Sequence, residues 1–188
     1  MDTKIFNNYI PATLWLAYHL TVPHWHLSFL SVLMLVRGLI VFFCFLNRDI
    51  PLMRAPKYQI VIAWISTFFP TLMIWKSNIG FYGLVGELIA IAGMVMFVLT
   101  CLELGKSFGV SPALRSPVSG GIYSYVSHPM YFSHVIVEIG ILIACPTKWN
   151  FLIAGFTWAL YMIRGAWEKK IISFAARGMG RNMGRGGL

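Results

Sequence analysis

The chain has 188 residues, 58% of them hydrophobic and only 11% charged, with a mean hydropathy of +0.72. Soluble domains carry about 25% charged residues, and here Tyr58 to Trp75, Leu88 to Leu102 and Trp149 to Ile163 contain none. A water-soluble globule is excluded, and the formal charge of +9, scattered among apolar stretches, favours an anionic membrane face over nucleic acid.

In chain order, Tyr9 to Val22 is apolar but short for a straight crossing, which needs about 20 residues. It reads as a short span or an interfacial helix, and no cleavable signal peptide is expected before it. Pro23-His24-Trp25-His26 reads as an interfacial break, with His19, His24 and His26 at an interface. Leu27 to Leu46 is a span interrupted by Arg37, a residue that must face protein or water at that depth. Tyr58 to Trp75 follows, with a kink expected at Pro70. Tyr82 to Leu102 carries Glu87 and the small residues Gly86, Ala90 and Gly93, which permit close helix packing. Pro129 to Cys145 and Trp149 to about Ile163, joined by Pro146-Thr147-Lys148, form a helical hairpin.

The expectation is therefore an all-α, polytopic transmembrane helical bundle of about five spans plus a short N-terminal apolar segment. It forms a single domain over residues 1–173, followed by a Gly/Arg-rich, mobile tail over residues 174–188. The loops Asn47–Lys57 and Glu103–Ser127 and the tail hold most basic residues; the alternate turns hold only Lys76 and Lys148. The positive-inside rule puts the basic set on the cytoplasmic side. Cys44, Cys101 and Cys145 share no metal-type spacing and read as buried free thiols. His134 and Glu138 are a helical turn apart, but two ligands are too few for a closed metal site, and no metal is expected. Arg37 could neutralise Glu87 or Glu138.

The longest polar connection runs from Leu104 to Tyr131 and ends in Gly120-Gly121-Ile122-Tyr123 and Ser127-His128-Pro129-Met130-Tyr131. Pro129 suits the first turn of a helix, which places His128 at a helix N-terminus beside unpaired amides. Beyond the last span, Arg164 and Glu168 share a helix face if the helix continues. A surface ion pair is one reading of that spacing.

The run Leu104-Gly105-Lys106-Ser107-Phe108-Gly109, the Gly-x-Tyr and His-Pro-x-Tyr motifs, and the Arg164/Glu168 pair together resemble the isoprenylcysteine carboxyl methyltransferase family and its bacterial relatives. The resemblance covers roughly Arg54 to Ser173. It implies an integral membrane enzyme using S-adenosylmethionine, in the inner membrane if the chain is bacterial. Its substrate would be lipid-like or prenylated and would enter from the bilayer, and its site would face the cytoplasm. By resemblance, Pro117, Val118, Tyr123, His128, Pro129, Met130 and Tyr131 fall on cofactor-contacting positions. Glu168 would also serve the cofactor, and Arg164 the substrate. Three positions depart from the family pattern: Ser127 stands for an arginine, Lys169 for a second glutamate, and RGMGRNMGRGGL for an aromatic-rich tail. They bear on activity and substrate identity more than on fold. Membrane sterol reductases carry a similar histidine-proline-x-tyrosine turn, so an NADPH-dependent reductase is the alternative enzyme class. A catalytically degenerate membrane protein is the non-enzyme alternative.

Overall fold

The computed structural model describes residues 8–21, 29–51, 53–74, 80–111, 113–115, 118, 120–183. The expectations for Pro117, His24 and His26, the side chain of His19, and residues 184–188 lie outside what is described. The architecture is all-helical: α1 (Ile10–Thr21), α2 (Phe29–Asn47), α3 (Lys57–Phe68), α4 (Phe81–Leu104), α5 (Pro129–Ala144) and α6 (Lys148–Met183). Two-residue strands, β1 (Met53–Arg54) and β2 (Ala113–Leu114), pair antiparallel.

Why α4 stands where it does is readable from its two faces. Gly86, Ala90, Gly93, Met94, Phe97 and Cys101 are buried, whereas Leu84, Leu88, Val95, Leu99 and Leu102 are exposed. A helix with apolar residues on both faces buries one in protein and gives the other to lipid. Over Phe81–Ser107 it is long and apolar enough to cross a membrane, and among the described residues no other helix is. Leu35–Asn47 and Pro129–Ala144 are apolar but shorter. The helix stops at Gly105, whose φ of 47° is open to glycine at little cost.

α4 and α5 pack backbone to backbone. A Cβ on Gly86 would lie 2.4 Å from the Gly140 carbonyl, and one on Gly140 would lie 2.5 Å from that of Gly86. Small residues on both helices permit that approach. The small-residue face expected on α4 is therefore used, and Gly140 completes it.

Pro70 acts differently from the expected kink. α3 ends at Phe68, Pro70 enters a 3-10 turn over Phe69–Leu72, and Met73 is extended. A proline inside a helix removes one hydrogen bond and collides with the preceding turn, and here the chain answers by leaving the helix. α6 behaves oppositely. It runs 36 residues, past the boundary expected at residue 173, so the first part of the tail is helical.

The two ends of the bundle are separately tied. At one end, Asn8 donates to the carbonyls of Leu46 and Arg48 (3.3 and 2.9 Å), so α1 and α2 run antiparallel. There too the Asp49 amide donates to the Lys106 carbonyl at 2.9 Å, and the β1–β2 pair joins the same two loops. At the other end, Asn150 accepts from the Ile74 amide and donates to the carbonyls of Ile74 and Cys145. The basic loops thus sit together at one end, and Ile74 and the turn after Cys145 at the other. Each end has its own apolar cluster: Trp15, Phe45, Phe97 and Phe108 on the basic side, Ala90, Val137, Ile141 and Ile153 on the other.

Candidate active site

The site is built where α5 begins, against the middle of α6. Pro129 occupies the first turn of α5, and His128 before it is the N-cap, at φ −137° and ψ 65°. A residue preceding proline is kept off helical dihedrals. His128 makes no side-chain capping bond to the helix, and its ring turns to α6 instead. Nδ1 lies 3.3 Å from Glu168 Oε2. Nε2 faces Gly165, 3.4 Å from where a Cβ would stand, and has no hydrogen-bond partner among the described residues.

Tyr131, one turn into α5, is the hub. Its ring stacks on His128 at 5.6 Å and on Tyr161 at 5.6 Å, and its hydroxyl donates to Glu168 Oε1. Glu168 is thus held from both sides by groups of the His-Pro-x-Tyr motif, yet stays 27% exposed at its side chain. A carboxylate has roughly four acceptor positions, so it keeps room for a further donor.

Arg164 shares the α6 face with Glu168, as the spacing predicts, but does not pair with it. It is 3% exposed and lies 4.8 Å over the Tyr131 ring. It donates to Ser66 Oγ at 2.7 Å and to the Val110 carbonyl. Its Nε has no hydrogen-bond partner among the described residues. The surface ion pair is therefore not what the structure contains: one residue is buried and clamps α3 and the loop after α4, the other is part-exposed and held by His128 and Tyr131.

Behind this cluster is a small cleft, with about 20 Å3 of free space, lined by Trp15, Phe97, Met130, Tyr131, His134, Tyr161 and Arg164 among others. Its floor is polar. Tyr161 donates to Glu138 Oε1 at 2.9 Å, and Thr157 donates to Oε2 at 3.2 Å. The His134 ring packs between Phe97 and Tyr161 at 4.9 and 5.9 Å. His134 and Glu138 thus turn to separate partners, and the described residues contain no cluster able to hold a metal ion.

The loop after α4 runs beside the site, with Phe108 and Val110 in the lining of the cleft. Gly121, at φ 56°, brings its backbone against Glu103, where a Cβ would lie 2.2 Å from Oε1. The following amide, Ile122, donates to both Glu103 oxygens (3.0 and 3.2 Å). This fixes Tyr123, whose phenol is pushed up by burial and by the neighbouring Cys101, Glu168 and Glu103. The Arg115 guanidinium packs on Gly109. Burial draws its pKa down, and the Glu168 carboxylate opposes that fall.

The structure therefore brings together His128, Met130, Tyr131, Arg164 and Glu168, with buried Pro129 setting the turn and Tyr123 within electrostatic reach of Glu168. Val118 is half-buried in the loop, and no described contact joins it to them. Tyr161, Ser66, Glu103 and Arg115 belong to the arrangement and lie outside the sequence motifs. Only Tyr161 left a trace, a tyrosine one turn before Arg164 on the same face.

Fold and cluster together define a helical bundle with one helix long and apolar enough to cross a membrane and a polar site at one end. The family model for phospholipid methyltransferase matches residues 80–174, more than half of the chain. The chain belongs to that family, within the isoprenylcysteine carboxyl methyltransferase-like group, and is a membrane methyltransferase. Comparison with characterised proteins and with solved structures finds no match.

Proposed function

We propose that the protein is a multi-pass membrane enzyme that transfers a methyl group from S-adenosylmethionine to a carboxylate, or another nucleophile, on a lipid-like substrate of the isoprenylcysteine type. One observation carries the reading: Glu168 is held by His128 and by Tyr131, whose ring lines the aromatic cleft, and its carboxylate stays part-exposed.

The residues present fit the cofactor. A part-exposed carboxylate suits its ammonium, tyrosine rings suit its adenosyl half, and the Nε2 of His128, without a hydrogen-bond partner among the described residues, is a polar atom a ligand could satisfy. S-adenosylmethionine, when bound, supplies a methyl group already activated on a sulfonium. What remains for the chain is to hold the nucleophile in line and keep water out. A carboxylate is ionised at neutral pH and needs no strong base. Arg164 is locked by Ser66 and Val110 and so pre-positioned, with Nε among the donors left for an acceptor oxygen. The bundle is read as about five spans plus α1, with the site facing the cytoplasm. The support is the collection of basic loops at the end where the site lies.

The test is methyl transfer by purified protein from methyl-labelled S-adenosylmethionine to a short prenylated cysteine and, separately, to an aminophospholipid. A base-labile labelled ester on the prenylated cysteine is the expected result. Base-stable label on the phospholipid would replace the carboxylate by an amine, and label on neither would remove the activity from both acceptors.

A further inference from the structure

Arg37 has no task in the arrangement described so far. It stands mid-way along α2 and is 7% exposed. Its guanidinium lies over two rings, 5.0 Å from the centre of Phe97 and 5.7 Å from that of Trp15. Both rings are walls of the cleft. Ring faces attract a cation, but they offset only part of the cost of taking it out of water.

Among the described residues no counter-charge touches it. The chain has six acidic side chains, and the five described ones are placed elsewhere. Glu168 is held by His128 and Tyr131, Glu138 by Tyr161 and Thr157, and Glu103 by the Ile122 amide. Asp49 lies beyond the end of α2. Glu87 precedes Phe97 by ten residues of α4, about 15 Å along the axis. The Arg37 Nε has no hydrogen-bond partner among the described residues. A buried, unpaired guanidinium beside a cleft is a cation waiting for an anion.

We propose that Arg37 anchors an anionic oxygen group, a carboxylate or a phosphate, on the amphiphile that occupies the cleft. This rests on the proposed function and extends it, taking the cleft beside Tyr131 and Arg164 as the place where the acceptor enters. It adds a second cation beside the cleft, in contact with the Trp15 and Phe97 rings that line it, with His134 lying within electrostatic reach of both Arg37 and Arg164. A planar guanidinium matches both oxygen groups. The competing role is that of a distant counter-charge for Glu138, whose carboxylate takes its hydrogen bonds from hydroxyls alone among the described residues.

The experiment is thermal unfolding of the full chain in neutral detergent, with sub-micellar dodecyl phosphate, dodecanoate or dodecyltrimethylammonium added. At a hundredfold excess over Kd an anionic amphiphile should raise the Tm on the order of 5 °C, and the cationic one should not. The stronger anion identifies the source. In R37M the shift should vanish, while the unliganded Tm stays near or above that of the wild type, because an apolar isostere of an unpaired buried charge is tolerated. If R37M does not accumulate as folded protein, R37Q carries the same comparison. Equal stabilisation by all three amphiphiles, or an undiminished anion shift in the variant, overturns the proposal. So does a Tm loss in R37M that E138Q restores while the anion shift persists. S-adenosylmethionine binding is measured in parallel: its retention without any anion shift removes the anchor alone, and its absence removes the methyltransferase reading.

Discussion

Arg164 and Glu168 sit one turn apart on one helix and do opposite things. Arg164 is buried and gives charged hydrogen bonds to Ser66 and Val110; Glu168 is part-exposed and receives from His128 and Tyr131. A hydrogen bond to a charged group contributes roughly 1.5–3 kcal/mol. Arg164→Ala is therefore expected to destabilise by about 3 kcal/mol or more, since it also strands the Val110 carbonyl, and Ser66→Ala by about 1–2 kcal/mol. Glu168→Ala should cost less, because solvent screens its contacts. Denaturant titration in detergent ranks the three. Equal, small losses for Arg164→Ala and Glu168→Ala would restore a mere surface pair. The sequence carried the shared face of these residues, since helical period alone sets it. It could not carry the partners, because Ser66 and Val110 lie about 100 and 50 residues away and only tertiary packing brings them in.

At the scale of elements, the α4–α5 contact depends on the absence of two methyl groups. A Cβ at Gly86 or Gly140 would enter the other helix's backbone at 2.4–2.5 Å, where neither side chain rotation nor repacking can help. Gly86→Ala and Gly140→Ala are each expected to cost about 1–3 kcal/mol, the range of overpacking. Gly155→Ala on α6, with nothing within 4 Å of the added carbon, should be neutral or slightly stabilising. Melting curves of the three variants check this, and an equal effect at all three sites would show the close approach to be unimportant. Helix positions were legible because long apolar runs bounded by Pro and Gly leave few choices. The helix ends were less so. Pro70 breaks α3 rather than bending it, and the glycines after Ser173 do not stop α6, because a lone glycine lowers helix propensity without blocking a hydrogen bond.

Across the whole molecule, the alternation of loops seen in the charge pattern reappears as two physically separate ends. One is tied by Asn8, Asp49 and the β1–β2 pair, the other by Asn150. If the basic end is cytoplasmic, an impermeant thiol reagent applied to intact cells should label Lys148→Cys and spare Ser119→Cys in a background lacking Cys44, Cys101 and Cys145. The reverse labelling would invert the bundle. The N-terminal segment shows what composition alone leaves open: Tyr9–Val22 has no charge to orient it, and only the Asn8 bonds to the end of α2 set α1 antiparallel to its neighbour. The loop beside the site was equally hidden, because Glu103 meets Gly121 through backbone geometry that no motif announces.

The central claim is that the Glu168–His128–Tyr131 cluster holds S-adenosylmethionine, and calorimetric titration of the purified protein tests it most directly. The wild type should bind the cofactor and not NADPH. Glu168→Ala and His128→Ala should each bind it at least about tenfold more weakly, the loss of one charge-assisted contact, while remaining folded. Binding of NADPH instead, or cofactor affinity unchanged in both variants, would contradict the account.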